Sequence, residues 1–134
     1  MDKRRILIAD DNADDLSVLE KVLEQADYEV ITAHDGRDAF RLALENSPDL
    51  IILDVFMPEM AGGLVRLSLK EEAETSEIPV IFLSYLFSEQ EIAGQDIMFG
   101  DCLRLGKPCD RDKLLKAVEK ALREAAGLPD RVET

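Results

Sequence analysis

Five short apolar runs, each followed by a longer stretch of amphipathic periodicity, recur along the chain, and that alternation restricts the fold more than any other feature. Ile6-Leu7-Ile8-Ala9 opens the series and ends at Asp10-Asp11, after which Leu16, Leu19, Val22 and Leu23 repeat at helical spacing through about Ala26. Glu29 to Ala33 forms the second run, halted by Asp35-Gly36. Ala39, Phe40, Ala43 and Leu44 carry the helix after it, which Asn46-Ser47-Pro48 ends. Leu50 to Leu53 is the third run, closed by Asp54, and a Pro- and Gly-bearing loop leads to a helix over roughly Leu64 to Ala73. Pro79 to Leu83 is the fourth. Ser88-Glu89-Gln90-Glu91 then has the form of a capping box and predicts a fourth helix to about Phe99. Cys102 to Leu105 is the fifth run, closed by Gly106-Lys107-Pro108. Asp110 caps a last helix whose buried stripe is Leu114, Leu115, Val118, Ala121 and Leu122, and Gly127-Leu128-Pro129 stops it.

Strand and helix in strict alternation mean an α/β fold, a parallel sheet with helices on both faces. Continuous apolar strands are what burial on both faces requires. Right-handed crossovers and this length fit a doubly wound (βα)5 arrangement with a five-stranded sheet in the order 2-1-3-4-5, the flavodoxin-like topology. The chain of 134 residues reads as one domain over residues 1–126 with a short C-terminal tail, 127–134.

The balance of charge narrows the partners. Twenty-nine acidic residues against sixteen basic ones give a formal charge of −13, which argues against nucleic acid and against an anionic membrane surface. The apolar run near the N-terminus is too short for a signal peptide, and none approaches the roughly 20 residues of a membrane span. A soluble, cytoplasmic protein is expected. Cys102 and Cys109 lie seven positions apart with no Cys/His company, so two reduced thiols are expected rather than a zinc site or disulfide. His34, the one histidine, reads as an exposed loop residue.

Sites in such folds form at the carboxyl ends of the strands, near the switch point between the first and third. Asp10, Asp11, Asp54, Ser84 and Lys107 all fall there, supplied by the first, third, fourth and fifth strands. Three converging carboxylates repel one another, and a divalent cation resolves the conflict; oxygen ligands with retained waters suit Mg²⁺. A carboxylate beside Mg²⁺ can attack phosphorus, and an ammonium and a hydroxyl stabilise the charge that moves. Lys107 supplies the first and Ser84 the second. Taken singly each has a duller reading, as a helix cap, a turn residue or a loop cation. Together, in five successive units, coincidence is a poor explanation.

The chain resembles the receiver domains of two-component response regulators over about residues 4 to 124. The matching stretches are Ile6-Leu7-Ile8-Ala9-Asp10-Asp11-Asn12, Ala33-His34-Asp35-Gly36-Arg37-Asp38-Ala39 and Pro48-Asp49-Leu50-Ile51-Ile52-Leu53-Asp54-Val55-Phe56-Met57-Pro58. Gly62, Ile78-Pro79-Val80-Ile81-Phe82-Leu83-Ser84 and Gly106-Lys107-Pro108 complete the set. The resemblance implies that Asp54 is the phosphoacceptor, served by a histidine kinase or phosphotransfer protein. It implies that Asp10 and Asp11 bind Mg²⁺ with Asp54 and the backbone carbonyl of Phe56. Ser84 would bond a phosphoryl oxygen and Lys107 would pair with the phosphate. Output would be phosphorylation-dependent docking of a downstream protein, with dimerisation possible through the face of the fourth and fifth helices. Such a domain is a signalling element rather than an enzyme, although it takes part in its own phosphorylation and dephosphorylation.

Three positions depart from that pattern. Arg104 stands where the family usually has Tyr or Phe; desolvating a guanidinium is costly, so it is expected to stay outside and pair with Glu91 or Asp96. Tyr85 follows Ser84 where a small residue is usual, and its bulk is expected to screen the site. Ala61 occupies a spot that is often Asp. The rival these departures leave open is a pseudo-receiver that binds proteins without phosphate. An EF-hand loop starting at Asp10 fails, because Asp15 and Lys21 stand where Gly and Glu are needed. A flavodoxin-like cofactor carrier fails because Asp10-Asp11 would repel an anionic cofactor. A phosphohydrolase lacks an evident general acid and substrate cap.

Overall fold

The β-branched and leucine-rich runs do form the sheet. In the structure, a computed structural model describing residues 3–85, 100 and 102–128, they are β1 (Arg5–Ala9), β2 (Glu29–Ala33), β3 (Leu50–Leu53), β4 (Val80–Ser84) and β5 (Leu103–Gly106). All pair in parallel, in the order β2-β1-β3-β4-β5 expected from the sequence. Two strands lie one residue further along than the apolar runs suggest. Pro79 has no N–H to give a ladder, so β4 starts at Val80, and the Pro79 carbonyl accepts from Ile51 N at 3.0 Å. At the other end Ser84 pairs with Gly106, which carries both strands to the site.

Four helices are described: α1 (Ala13–Gln25), α2 (Gly36–Asn46), α3 (Gly62–Glu71) and α4 (Arg111–Ala125). Side chains set three of their starts. Asn12 accepts from Asp15 N at 3.0 Å, Asp35 from Asp38 N at 2.8 Å, and Asp110 from Asp112 N at 2.8 Å. At α3 the cap position is Ala61, and no side-chain bond is made there. The fourth helix expected over residues 88–99 lies outside the described residues, and with it one of the two helices of the anticipated dimer face.

The two-residue alternation along each strand divides the core. Ile6, Ile8, Leu50, Ile52, Ile81 and Leu83 pack with Leu16, Leu23, Leu114 and Val118 of α1 and α4. Leu7, Ala9, Ile51, Leu53 and Phe82 point the other way, against Ala39, Ala43, Val65 and Leu69 of α2 and α3. Fully burying each large side chain stabilises by about 1.5–3 kcal/mol, so the sheet is the rigid floor on which the loops at its carboxyl edge are mounted. No described helix is long and apolar enough to cross a membrane.

The same alternation corrects the expectation for Arg104. Leu103 and Leu105 belong with the α1/α4 layer, so Arg104 between them faces the α2/α3 side, register-paired with the buried Phe82. It is buried rather than outside, 7% exposed, and its guanidinium donates to the Gly100 carbonyl at 3.4 Å. Strand geometry fixes the direction, and hydrogen bonding offsets part of the desolvation cost that argued for the surface. Glu91 and Asp96, its expected partners, lie outside the described residues.

Candidate functional site

Strand order and register decide which loops meet. β1 and β3 are neighbours at the centre of the sheet, and the Asp54 N–H donates to the Ala9 carbonyl at 3.0 Å, which sets Asp54 beside Asp10. On the other flank the Lys107 N–H donates to the Ser84 carbonyl at 3.0 Å, extending the β4–β5 ladder by one residue. Gly62 lets the loop after β3 close back tightly, because a Cβ there would lie 2.0 Å from the Asp54 carbonyl oxygen. Its N–H donates to the Val55 carbonyl at 2.9 Å. Backbone pairing thus sets Asp54 beside Asp10 and Lys107 beside Ser84.

Asp10, Asp11 and Asp54 each offer a carboxylate oxygen within 4.8 Å of the others. Asp10 is buried, Asp54 half-buried and Asp11 exposed, so the group opens to solvent on one side. One Asp10 oxygen accepts from Asn12 N at 2.9 Å, and one Asp54 oxygen accepts from Val55 N at 2.7 Å. The Lys107 ammonium lies among the acids: it donates to Asp10, to Asp15 at 3.1 Å and to Asp54 at 3.3 Å. Its side chain is only 6% exposed. Ser84 is buried at the end of β4, and Phe56 lies two residues beyond Asp54 with its ring exposed.

The electrostatics follow from this crowding. Burial pushes the Asp10 carboxyl above its usual range, opposed by the bonds from Lys107 and the Asn12 N–H, and the neighbouring Asp54 adds to the rise. Burial works to lower the Lys107 ammonium, yet its bonds to Asp10 and Asp15 and the charge of Asp54 outweigh it and hold the group above its ordinary value. Lys107 is thus firmly cationic, a fixed positive charge beside Asp54.

Two further groups close the site on the Lys107 side. The ammonium sits 5.1 Å from the centre of the Tyr85 ring, and the Tyr85 hydroxyl donates to Asp15 in a long bond of 3.4 Å. Tyr85 itself is well exposed, with its ring beside the ammonium. Asp15 is the site residue that sequence spacing does not reveal. The available signal is its place in the first turn of a helix whose N-terminus abuts the strand ends, where a carboxylate is favoured. His34 is exposed, and both cysteines are free.

Comparison with known proteins agrees with this geometry. The family profile described as "Response regulator receiver domain" matches residues 6–119. Protein PilH of Pseudomonas aeruginosa is 34% identical over 119 residues, covering 88% of this chain and 97% of PilH. The transcriptional regulatory protein PrrA of Mycobacterium tuberculosis is 38% identical over 120 residues, and the chain spans half of its length. Among solved structures, the signal receiver domain of a signal transduction histidine kinase from Syntrophus aciditrophicus superimposes with a TM-score of 0.81 at 30% identity, over 98% of both chains.

Proposed function

The chain belongs to the response regulator receiver domain family of two-component signalling, and from that premise we propose that it accepts a phosphoryl group on Asp54 and signals by docking a downstream protein. One observation carries the reading: a single ammonium, Lys107, bonded at once to the half-buried carboxylate Asp54 and the buried carboxylate Asp10 at the ends of adjacent strands. A surface ion pair needs no such convergence, whereas phosphoryl transfer to a carboxylate needs a positive charge fixed at that place.

In the step itself an Asp54 oxygen forms a bond to phosphorus as the donor's bond to phosphorus breaks. For a phosphohistidine donor the electron pair of the P–N bond leaves on the imidazole nitrogen. Asp54 is held for this by its bond from Val55 N, which leaves the second oxygen facing Lys107. Lys107 moves its bond from the carboxylate to a phosphoryl oxygen, and the Ser84 hydroxyl, on the neighbouring strand, bonds another. The oxygen-only donor set and the 4.8 Å spread of Asp10, Asp11 and Asp54 fit Mg²⁺, with the Phe56 carbonyl as a further ligand. Bound there, Mg²⁺ would supply charge to the phosphoryl oxygens and relieve the repulsion among the acids.

Ser84 and Lys107 belong to β4 and β5, so drawing both toward a phosphate strains the same edge of the sheet on which Arg104 is buried. That edge is the output surface in this reading, with Arg104 in place of an inward-turning aromatic ring. Phosphoramidate with Mg²⁺, followed by intact mass, tests the chemistry. One added phosphoryl mass that is lost in Asp54→Asn is expected; no gain, together with no binding of beryllofluoride and Mg²⁺, would refute it.

A further inference from the structure

Lys107 is shared by three carboxylates, of which Asp10 and Asp54 belong to the proposed chemistry and Asp15 does not. Asp15 comes from α1, lies 3.1 Å from the ammonium, and is held in place by the Tyr85 hydroxyl on its other oxygen at 3.4 Å. It lies at the mouth of the site, with its side chain 25% exposed, where those of Asp54 and Lys107 are 12% and 6% exposed. Beside it a small cleft of about 120 Å³ runs between Val18, Leu83, Tyr85 and Pro108 toward Lys107. Any small phosphodonor reaching Asp54 along this side passes Asp15 and the Tyr85 ring.

The charges make that passage selective. Asp10, Asp15 and Asp54 are bonded to the Lys107 ammonium and Asp11 adds a fourth carboxylate beside them, so among the described residues even a bound divalent cation leaves the mouth anionic. The carboxylate at 3.1 Å also offsets much of the field that Lys107 would otherwise project outward to an incoming anion. We infer that Asp15, braced by Tyr85, is a specificity-determining residue that turns away small dianionic acyl phosphates and reserves Asp54 for phosphoryl groups delivered with less negative charge. The inference rests on Asp54 being the phosphoacceptor.

The test compares the rates at which the intact chain and Asp15→Asn gain phosphate, with Mg²⁺, from acetyl phosphate and from phosphoramidate. Acetyl phosphate is doubly charged near neutral pH and phosphoramidate singly charged. Asp15→Asn keeps shape and leaves the Asn12 cap, which bonds the backbone of residue 15, in place. The expected result is a gain of roughly tenfold with acetyl phosphate, a distinctly smaller gain with phosphoramidate, and a difference that shrinks as salt is raised. Asp15→Ala should change both rates in the same direction. Unchanged or slower transfer from acetyl phosphate in both variants would overturn the inference, since Asp15 would then merely anchor Lys107. If neither the parent nor the variants took phosphate from either donor, the assignment of Asp54 would fall, and this inference with it.

Discussion

Gly62→Ala probes whether the loop after β3 is held against Asp54 by contact between backbones. A methyl group at residue 62 would lie 2.0 Å from the Asp54 carbonyl oxygen, 3.0 Å from its carbonyl carbon and 3.3 Å from Val55 Cα. All three are backbone atoms, so no rotamer change relieves the overlap and either α3 or the Asp54–Val55 peptide has to move. Overpacking of that kind costs about 1–3 kcal/mol. Displacing the 2.9 Å bond from Gly62 N to the Val55 carbonyl adds roughly 0.5–1.5 kcal/mol. Against this stands a gain of about 0.4–1 kcal/mol from the smaller freedom of the unfolded chain. The net expectation is a loss of about 2–3 kcal/mol. With an unfolding entropy of about 2.1 cal/mol/K per residue, a chain of this length should melt about 7–11 °C lower. Urea unfolding followed by circular dichroism measures the loss directly, as a lower midpoint at unchanged slope. The variant should also bind Mg²⁺ more weakly, because the peptide that moves carries the Asp54 side chain. A midpoint within about 0.5 kcal/mol of the parent would show that the close approach is not a constraint, and the argument for Gly62 would fail.

Other expectations are as direct. Ala61→Ser supplies the missing cap at α3, whose Ala61 already has extended backbone, φ −64° and ψ 152°; a gain of about 0.5–2 kcal/mol in urea is expected, and no gain would mean the N-terminal amides are already satisfied. Magnesium at about a hundred times its dissociation constant should stabilise the chain by about 2.7 kcal/mol, and Asp11→Asn should shrink that shift without destabilising the metal-free protein, since Asp11 is exposed and its loss relieves repulsion among the acids. Burial, with the charge of Glu119 and against that of Arg4, raises the Tyr28 hydroxyl above 10.0, so in Tyr85→Phe the phenolate absorbance should have its midpoint above that value. The sign for stability follows. Above pH 10 the unfolded tyrosine loses its proton first, so stability falls as pH rises from there through the folded value, and a Tyr28 midpoint at or below 10 would contradict the burial argument.

Much of the molecule is written locally. The alternation of apolar runs and amphipathic stretches gave the five strands and their parallel order, because only helices crossing from strand to strand bury both faces of such a sheet. The acids at the ends of the first and third runs and Lys107 were expected to meet because strand ends in this topology have one place to converge, and the three carboxylates and the ammonium lie together there. Strand boundaries were legible to about one residue, and the miss at Pro79 has a local cause, the absent N–H.

Tertiary structure decided the rest. Arg104 was read as external from the cost of burying its charge, but its direction is set by Leu103 and Leu105 on either side, which the core claims for the opposite face. One partner of the guanidinium so placed is the Gly100 carbonyl, a backbone atom outside any sequence pattern. Asp15 shows the same dependence more sharply. Nothing in the spacing of residues 15, 85 and 107 marks them as neighbours; the packing of α1 beside the ends of β4 and β5 brings a carboxylate, a phenol and an ammonium within bonding distance. Local sequence specifies which way each residue can point along its own element. Only the packing of elements specifies what it meets there, since contact between elements far apart in the chain is a property of the assembled core.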